Sequence, residues 1–269
     1  MKFEPGIGAT QELSLRVSVA TLVRVVFEHP DGGERMLALE RKATLHETNV
    51  EVKSQPFGGA VRILDLDAIY DLIGDFDFDS TNSRAEQDFR LFIRPSAWPV
   101  LREFCIQHLS HVHDPVIETD PTRELTEEFA DALKISLKPN QYIHTPVETV
   151  IEDHPAPTDN VYARGISTAR VYRIFEASIT DPSLIRTMLK NSEGMSDRDL
   201  CELAMDDFHH GGKGWANAMF ALPLKQVTEH YSSLPVVERN ATTVFGTKRL
   251  DETVAAVLEG ITVSRYQRL

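Results

Sequence analysis

Apolar positions along the chain switch between two periods, and the switches mark its elements. Leu13 to Phe27 is dense in Val and Leu, His29-Pro30-Asp31-Gly32-Gly33 supplies a turn, and Met36-Leu37-Ala38-Leu39 resumes the apolar run. This pattern predicts a hairpin. Val50 to Lys53 predicts another extended piece leading into Pro56-Phe57-Gly58-Gly59, where adjacent glycines call for positive φ or close backbone approach. From Leu64 to Ile73 aliphatic and charged residues recur at helical spacing. The stretch Asp75-Phe76-Asp77-Phe78-Asp79-Ser80 alternates as a half-buried strand edge with a wet face does, and also suits a polar loop or a metal-lined strand. Phe89 to Ile93 predicts a strand, and Ser96 to His108 a helix that turns Trp98, Leu101, Phe104 and Cys105 toward a core.

Asp120-Pro121 announces a further helix, since Asp accepts from free backbone N–H groups and Pro fits the first turn. Pro139, Pro146, Pro155 and Pro157 punctuate a stretch predicted to be mostly connection and short strand; Arg170 to Ile179 is a well-marked strand. Asp181-Pro182 and Ser196 each open a helix. Gly211-Gly212-Lys213-Gly214 precedes a short apolar strand, Ala218 to Leu222, then a helix from Leu224 to Tyr231 and a terminal helix from Asp251 to Glu259. Strands and helices interleave irregularly, without internal repeats, so the class expected is α/β (α+β), a mixed β-sheet between helices.

Composition narrows the partners. The 28 basic and 41 acidic residues give a formal charge of −13, which disfavours a long nucleic acid held by counterion release but leaves room for a small anion bridged by a cation. No apolar run approaches the roughly 20 residues of a membrane span, and Met1-Lys2-Phe3-Glu4-Pro5-Gly6 lacks the features of a secretory signal, so a cytoplasmic protein is expected. Cys105 and Cys201 lie far apart in predicted helices and are expected to be reduced and packed.

Candidate chemistry concentrates between Asp120 and Leu133. At about 100° per residue, Glu124, Glu127 and Glu128 share one helix face while Leu125, Phe129, Ala132 and Leu133 share another. Like charges so spaced repel, and a hard divalent cation with oxygen ligands relieves that repulsion; a solvated acidic face at a helix start is the plainer account.

The run Arg123-Glu124-Leu125-Thr126-Glu127-Glu128 resembles the second half of the Nudix box, the signature of hydrolases acting on nucleoside diphosphates linked to another group. The flanks are similar in order: a hairpin ending in Met36-Leu37-Ala38-Leu39-Glu40-Arg41-Lys42, the Pro56-Phe57-Gly58-Gly59 loop, the strand Val171 to Ala177, and an apolar strand running into a helix from Met219 to Tyr231. The resemblance implies a Nudix-like domain over residues 1–235, with an insertion at about 64–118 splitting the box, and residues 236–269 as a helical extension packed on it. It also implies Mg²⁺ or Mn²⁺ held by Glu124, Glu127 and Glu128 as metal ligands and catalytic residues. Arg123 becomes a structural partner to a carboxylate, and Gly58, Gly59, Lys213 and Trp215 become substrate contacts. The distal acid such sites use has three candidates, Glu193, Asp206 and Asp207. Asp65 stands where the box's first glutamate falls when counted from Gly59, and Ala130 and Asp131 replace its late glycine and aliphatic residue.

The function expected is therefore divalent-metal-dependent cleavage of a pyrophosphate bond in a nucleoside-diphosphate derivative. The split box also suits a catalytically inactive module that senses a nucleotide or binds a protein, and a protein partner or homo-oligomer stays open. His209-His210 and His111-X-His113 are read as surface loops, because no cysteine stands at ligand spacing and neither pair has the i, i+4 arrangement of a helical zinc site. Gly211-Gly212-Lys213-Gly214 lacks the order of a phosphate-binding loop and is read as a turn.

Overall fold

In the computed structural model, which describes residues 13–46, 49–152, 154–157 and 163–269, the chain opens with β1 (Leu15–Glu28), β2 (Arg35–His46), β3 (Asn49–Gln55) and β4 (Phe57–Ala60). It continues through α1 (Leu66–Ile73), β5 (Asp77–Phe78), α2 (Thr81–Glu86), β6 (Arg90–Ile93) and α3 (Trp98–His108). Next come α4 (Thr122–Leu133), β7 (Tyr142–Glu152), β8 (Ala156–Pro157), β9 (Ser167–Ile179), α5 (Pro182–Gly194) and α6 (Asp197–His209). The last elements are β10 (Trp215–Pro223), α7 (Leu224–Ser233), β11 (Thr243–Phe245), β12 (Lys248–Leu250), α8 (Val254–Val257) and β13 (Tyr266–Arg268). The chain is thus a mixed α/β structure in which one sheet carries helices on both faces.

The two edges of β1 take different partners. One edge pairs in parallel with β9 from Arg16–Thr168 to Val26–Ser178; the other meets β6, β4 and β2 in turn, all antiparallel. The predicted hairpin forms, and β2 then leaves β1 beyond Ala38, so that β4 takes its place against Ala20 to Val23. Past this fork β2 continues between β3 and β10.

Alternation along β1 sorts the cores. Val23, Val25 and Phe27 pack with Phe57 beneath Leu125 and Phe129 of α4, while Leu15, Val17 and Val19 on the same face meet α1 and α3 through Ile69, Leu101 and Cys105. Leu22 on the other face packs with Ile174, Ala256 and Val257, and Leu37 and Leu39 pack on Val227 and Tyr231 of α7. Cys105 is buried, Cys201 is part-exposed, and both are free thiols.

Helix starts follow the sequence closely. Asp65, Asp181 and Ser196 accept from the backbone N–H groups of Ala68, Leu184 and Asp199, and Asp120 accepts from Thr122 N–H at 2.8 Å. The acidic stretch forms the short edge strand β5, and its carboxylates pair with arginines: Asp75 with Arg94, Asp77 with Arg84 and Asp79 with Arg16. No helix among the described residues is long and apolar enough to cross a membrane.

Two expectations are corrected. The proline-punctuated stretch contains β7, a strand of 11 residues, because its register slips between Pro146 and Glu148, so that an irregularity at Val147 lies beside the residue that cannot donate to the ladder. The terminal helix expected from Asp251 to Glu259 is confined to the single turn of α8, and residues 236–269 are only partly helical: β12 joins β3 and β13 joins β7, extending the sheet. Asp65, at the counted position of the box's first glutamate, caps α1, and the carboxylates that pair with Arg123 include Glu118 and Glu124.

Candidate functional site

The site is assembled where β2 forks away from β1 and α4 crosses the gap. Gly58 has φ of 135°, and a Cβ there would lie 2.1 Å from the Thr21 carbonyl oxygen; one on Gly59 would lie 2.0 Å from Glu124 Oε2. The two glycines therefore serve different ends, the first to let β4 lie close against the β1 backbone at positive φ and the second to let a buried carboxylate rest on the backbone.

Arg123 organises the start of α4. It holds Glu118 Oε2 at 2.7 Å and Glu124 Oε1 at 2.6 Å, reaches Glu127 Oε2 at 3.2 Å, and donates to the Ala60 carbonyl at the end of β4. The fork guanidinium thereby ties helix, glycine strand and the segment before the helix together. Burial pushes Glu124 up to about 7 against the opposing charge of Arg123. Glu127 is exposed at the rim.

Glu128 turns the other way, onto β2. There it meets Glu40, which is fully buried and accepts from Gln55 Nε2 at 2.7 Å. Burial first, and then the adjacent Glu40 carboxylate, push the Glu128 carboxyl well above its ordinary range, with Lys42 opposing. Glu128 Oε2, Glu40 Oε1 and the Asn217 side-chain amide oxygen are buried and receive no donor from the surrounding protein, and the Glu128 carboxyl and Glu40 share a side-chain hydrogen bond with each other. Asn217 pairs across the sheet with Lys42, and Met219 with Glu40, so alternation puts Glu40, Lys42, Asn217 and Trp215 on one face of β2 and β10.

That face ends in an aromatic platform. Lys42 Nζ and Lys213 Nζ each lie 4.8 Å from the Trp215 ring centroid, and the ring is part-exposed. Asp207 Oδ2 accepts from Gly214 N–H at 2.9 Å and Trp215 N–H at 3.3 Å, which fixes the glycine turn. Of the distal acid candidates, Asp207 is committed to this turn, Asp206 pairs with His210 at the surface, and Glu193 is exposed on α5.

The helix glutamates thus divide: Glu124 lies under the glycine strand, Glu128 against Glu40, and Glu127 at the rim. Glu40 escapes sequence reasoning because it stands beside Arg41 and Lys42, as a surface charge in a strand does, and has no acidic neighbour there. Among the described residues, the His, Cys, Asp and Glu ligand atoms that converge within 4.8 Å of one another belong to His108, His111 and Asp114. The histidine pairing predicted to be idle is therefore regrouped: His111 meets His108 and Asp114 across a turn. Comparison with family models, with curated proteins and with solved structures found no match to this chain.

Proposed function

We propose that the protein is a divalent-metal-dependent hydrolase of a small nucleoside-diphosphate derivative in the cytoplasm, resembling Nudix enzymes in its use of the α4 carboxylates. The observation carrying this reading is the buried pair Glu40 and Glu128, two carboxyls that face each other with no cationic or backbone donor on Glu40 Oε1 or Glu128 Oε2, beside Glu124 at the glycine strand. An all-oxygen donor set of this kind suits Mg²⁺ or Mn²⁺ better than a softer ion. Bound by Glu40 and Glu128, with Glu124 beside them, such an ion would neutralise pyrophosphate charge and acidify a water.

The chain's own residues supply the rest. Arg123 fixes Glu124 and leaves Glu127 at the rim, where it can orient water. Lys42 lies between Glu128 and Trp215, a place from which it can meet a phosphate, and Trp215 offers a face on which a base can stack beside Lys213. A net charge of −13 favours such a small ligand over a long nucleic acid.

Dinucleotides, sugar nucleotides and nucleoside triphosphates assayed with Mg²⁺ and with Mn²⁺ test the proposal. A nucleoside monophosphate should be released from at least one compound, and Glu128→Gln should lower kcat by about two to three orders of magnitude, the scale for removing one group that stabilises transition-state charge. Turnover equal in the native protein and the variant would overturn it. Metal-dependent binding without turnover on the whole panel would favour a sensing module, a reading for which the separation of the three helix glutamates speaks.

A further inference from the structure

A second side-chain cluster lies at the end of α3, outside the α4 site. Asp114 Oδ2 is 2.8 Å from His108 Nδ1 and 2.8 Å from His111 Nδ1, so both imidazoles aim the same ring nitrogen at one oxygen. The other oxygen, Oδ1, accepts from the backbone N–H groups of Val116 and Ile117 at 2.9 and 3.1 Å, which locks the carboxylate in place. Its side chain is wholly buried while His111 is half exposed. His108 is held flat against Phe104, with ring centroids 3.9 Å apart. Two nitrogens and one oxygen, each orientated by its surroundings, therefore converge on one point with a solvent-facing side.

From this geometry we infer that His108, His111 and Asp114 bind a transition-metal ion of the Zn²⁺ type, with water completing the shell. Imidazole nitrogen selects such ions over Mg²⁺, and three protein ligands plus an open position are a recognised zinc arrangement. Binding requires little movement. Zinc–nitrogen and zinc–oxygen distances of about 2.0–2.2 Å need the present contacts to open by a few tenths of an ångström. The imidazoles must also pass from the Nδ1–H to the Nε2–H tautomer, so that Nδ1 presents its lone pair.

The ion would act as a clip. Val116 and Glu118 are bonded to Leu64 and Arg62 through the backbone, and Glu118 holds Arg123. The cluster thus ties the end of α3 to the segment that hands Glu118 to the first turn of α4. Carboxylate positioning there is a structural consequence; the binding itself does not depend on any reaction at α4.

Chelator-treated full-length protein titrated with Co²⁺, followed by visible absorption and then displaced by Zn²⁺, tests the inference. One Co²⁺ per chain should give a saturable visible band that Zn²⁺ abolishes, and Zn²⁺ should raise the thermal midpoint. His108→Gln should weaken the metal at least about tenfold, the lower end of what even an outer partner is worth, and half-exposed His111→Gln should do the same with its fold intact by circular dichroism. Glu128→Gln should leave the band unchanged. Absence of a saturable band, its persistence in His111→Gln, or its loss in Glu128→Gln would each overturn the site.

Discussion

Gly59 is the position at which a single added methyl group tests the site most locally. Its Cβ would fall 2.0 Å from Oε2 and 2.6 Å from Cδ of Glu124, and that carboxylate is confined by Arg123. Gly59→Ala should displace Glu124 and weaken Mn²⁺ binding by about 10–100-fold, the scale for disturbing a ligand's support. Gly32→Ala, with nothing within 4 Å, should leave binding unchanged in the same titration. Glu124 also sets a pH dependence. Burial raises its carboxyl from 4.5 to about 7, so between those values the folded chain holds a proton that the unfolded chain has released. Its contribution to stability is therefore fully present below about 4.5 and is lost as pH rises through about 7. Denaturation of metal-free protein across this window should show that decline, and Glu124→Gln should reduce its slope while the raised Glu128 carboxyl keeps the same sign; an unchanged slope would place Glu124 in solvent.

At the scale of elements, α4 is held by its apolar side, through Leu125, Phe129, Ala132 and Leu133. The Phe129 and Phe57 rings lie 5.0 Å apart in the core, so Phe129→Ala should cost about 3–5 kcal/mol by chemical denaturation. Just after β5, Asp79 holds Arg16 at 2.7 Å where both side chains are almost completely buried. Asp79→Ala strands that guanidinium and should cost about 3–5 kcal/mol, whereas a solvated loop carboxylate would cost nearly nothing. Elements with a strong period or a cap were legible in the chain: β1 and β2 through their turn, α5 and α6 through Asp181 and Ser196. β7 was not, because Pro146 reads as a break unless the register slips beside it. Nor were β12 and β13, each three residues long, since strands so short carry no period and exist only through partners distant in sequence. The site divides the same way. Arg123, Glu124 and Glu128 share a helix and declare themselves by spacing, while Glu40 and the His108–Asp114 contact depend on tertiary packing.

For the whole molecule, the closing segment is part of the sheet. Ala256 and Val257 cover Leu22 and Ile174, and β13 pairs with β7 from Val150 to Glu152. A chain ending at residue 235 should lose cooperative thermal unfolding and associate in size-exclusion chromatography, because it would expose that core face and leave an unpaired strand edge. A second, cooperative and monodisperse result would show that the segment merely decorates the fold. The parts meet at the fork of β2, where α4 sets Glu128 against Glu40 of β2 and, beside this pair, rests Glu124 on the Gly59 strand. Crystals soaked in Mn²⁺ and measured for anomalous scattering test that claim most directly. The account predicts a peak within coordination distance of Glu128 and Glu40 beside the Gly59 strand, lost in Glu128→Gln; a map with no peak there at saturating Mn²⁺ would contradict it.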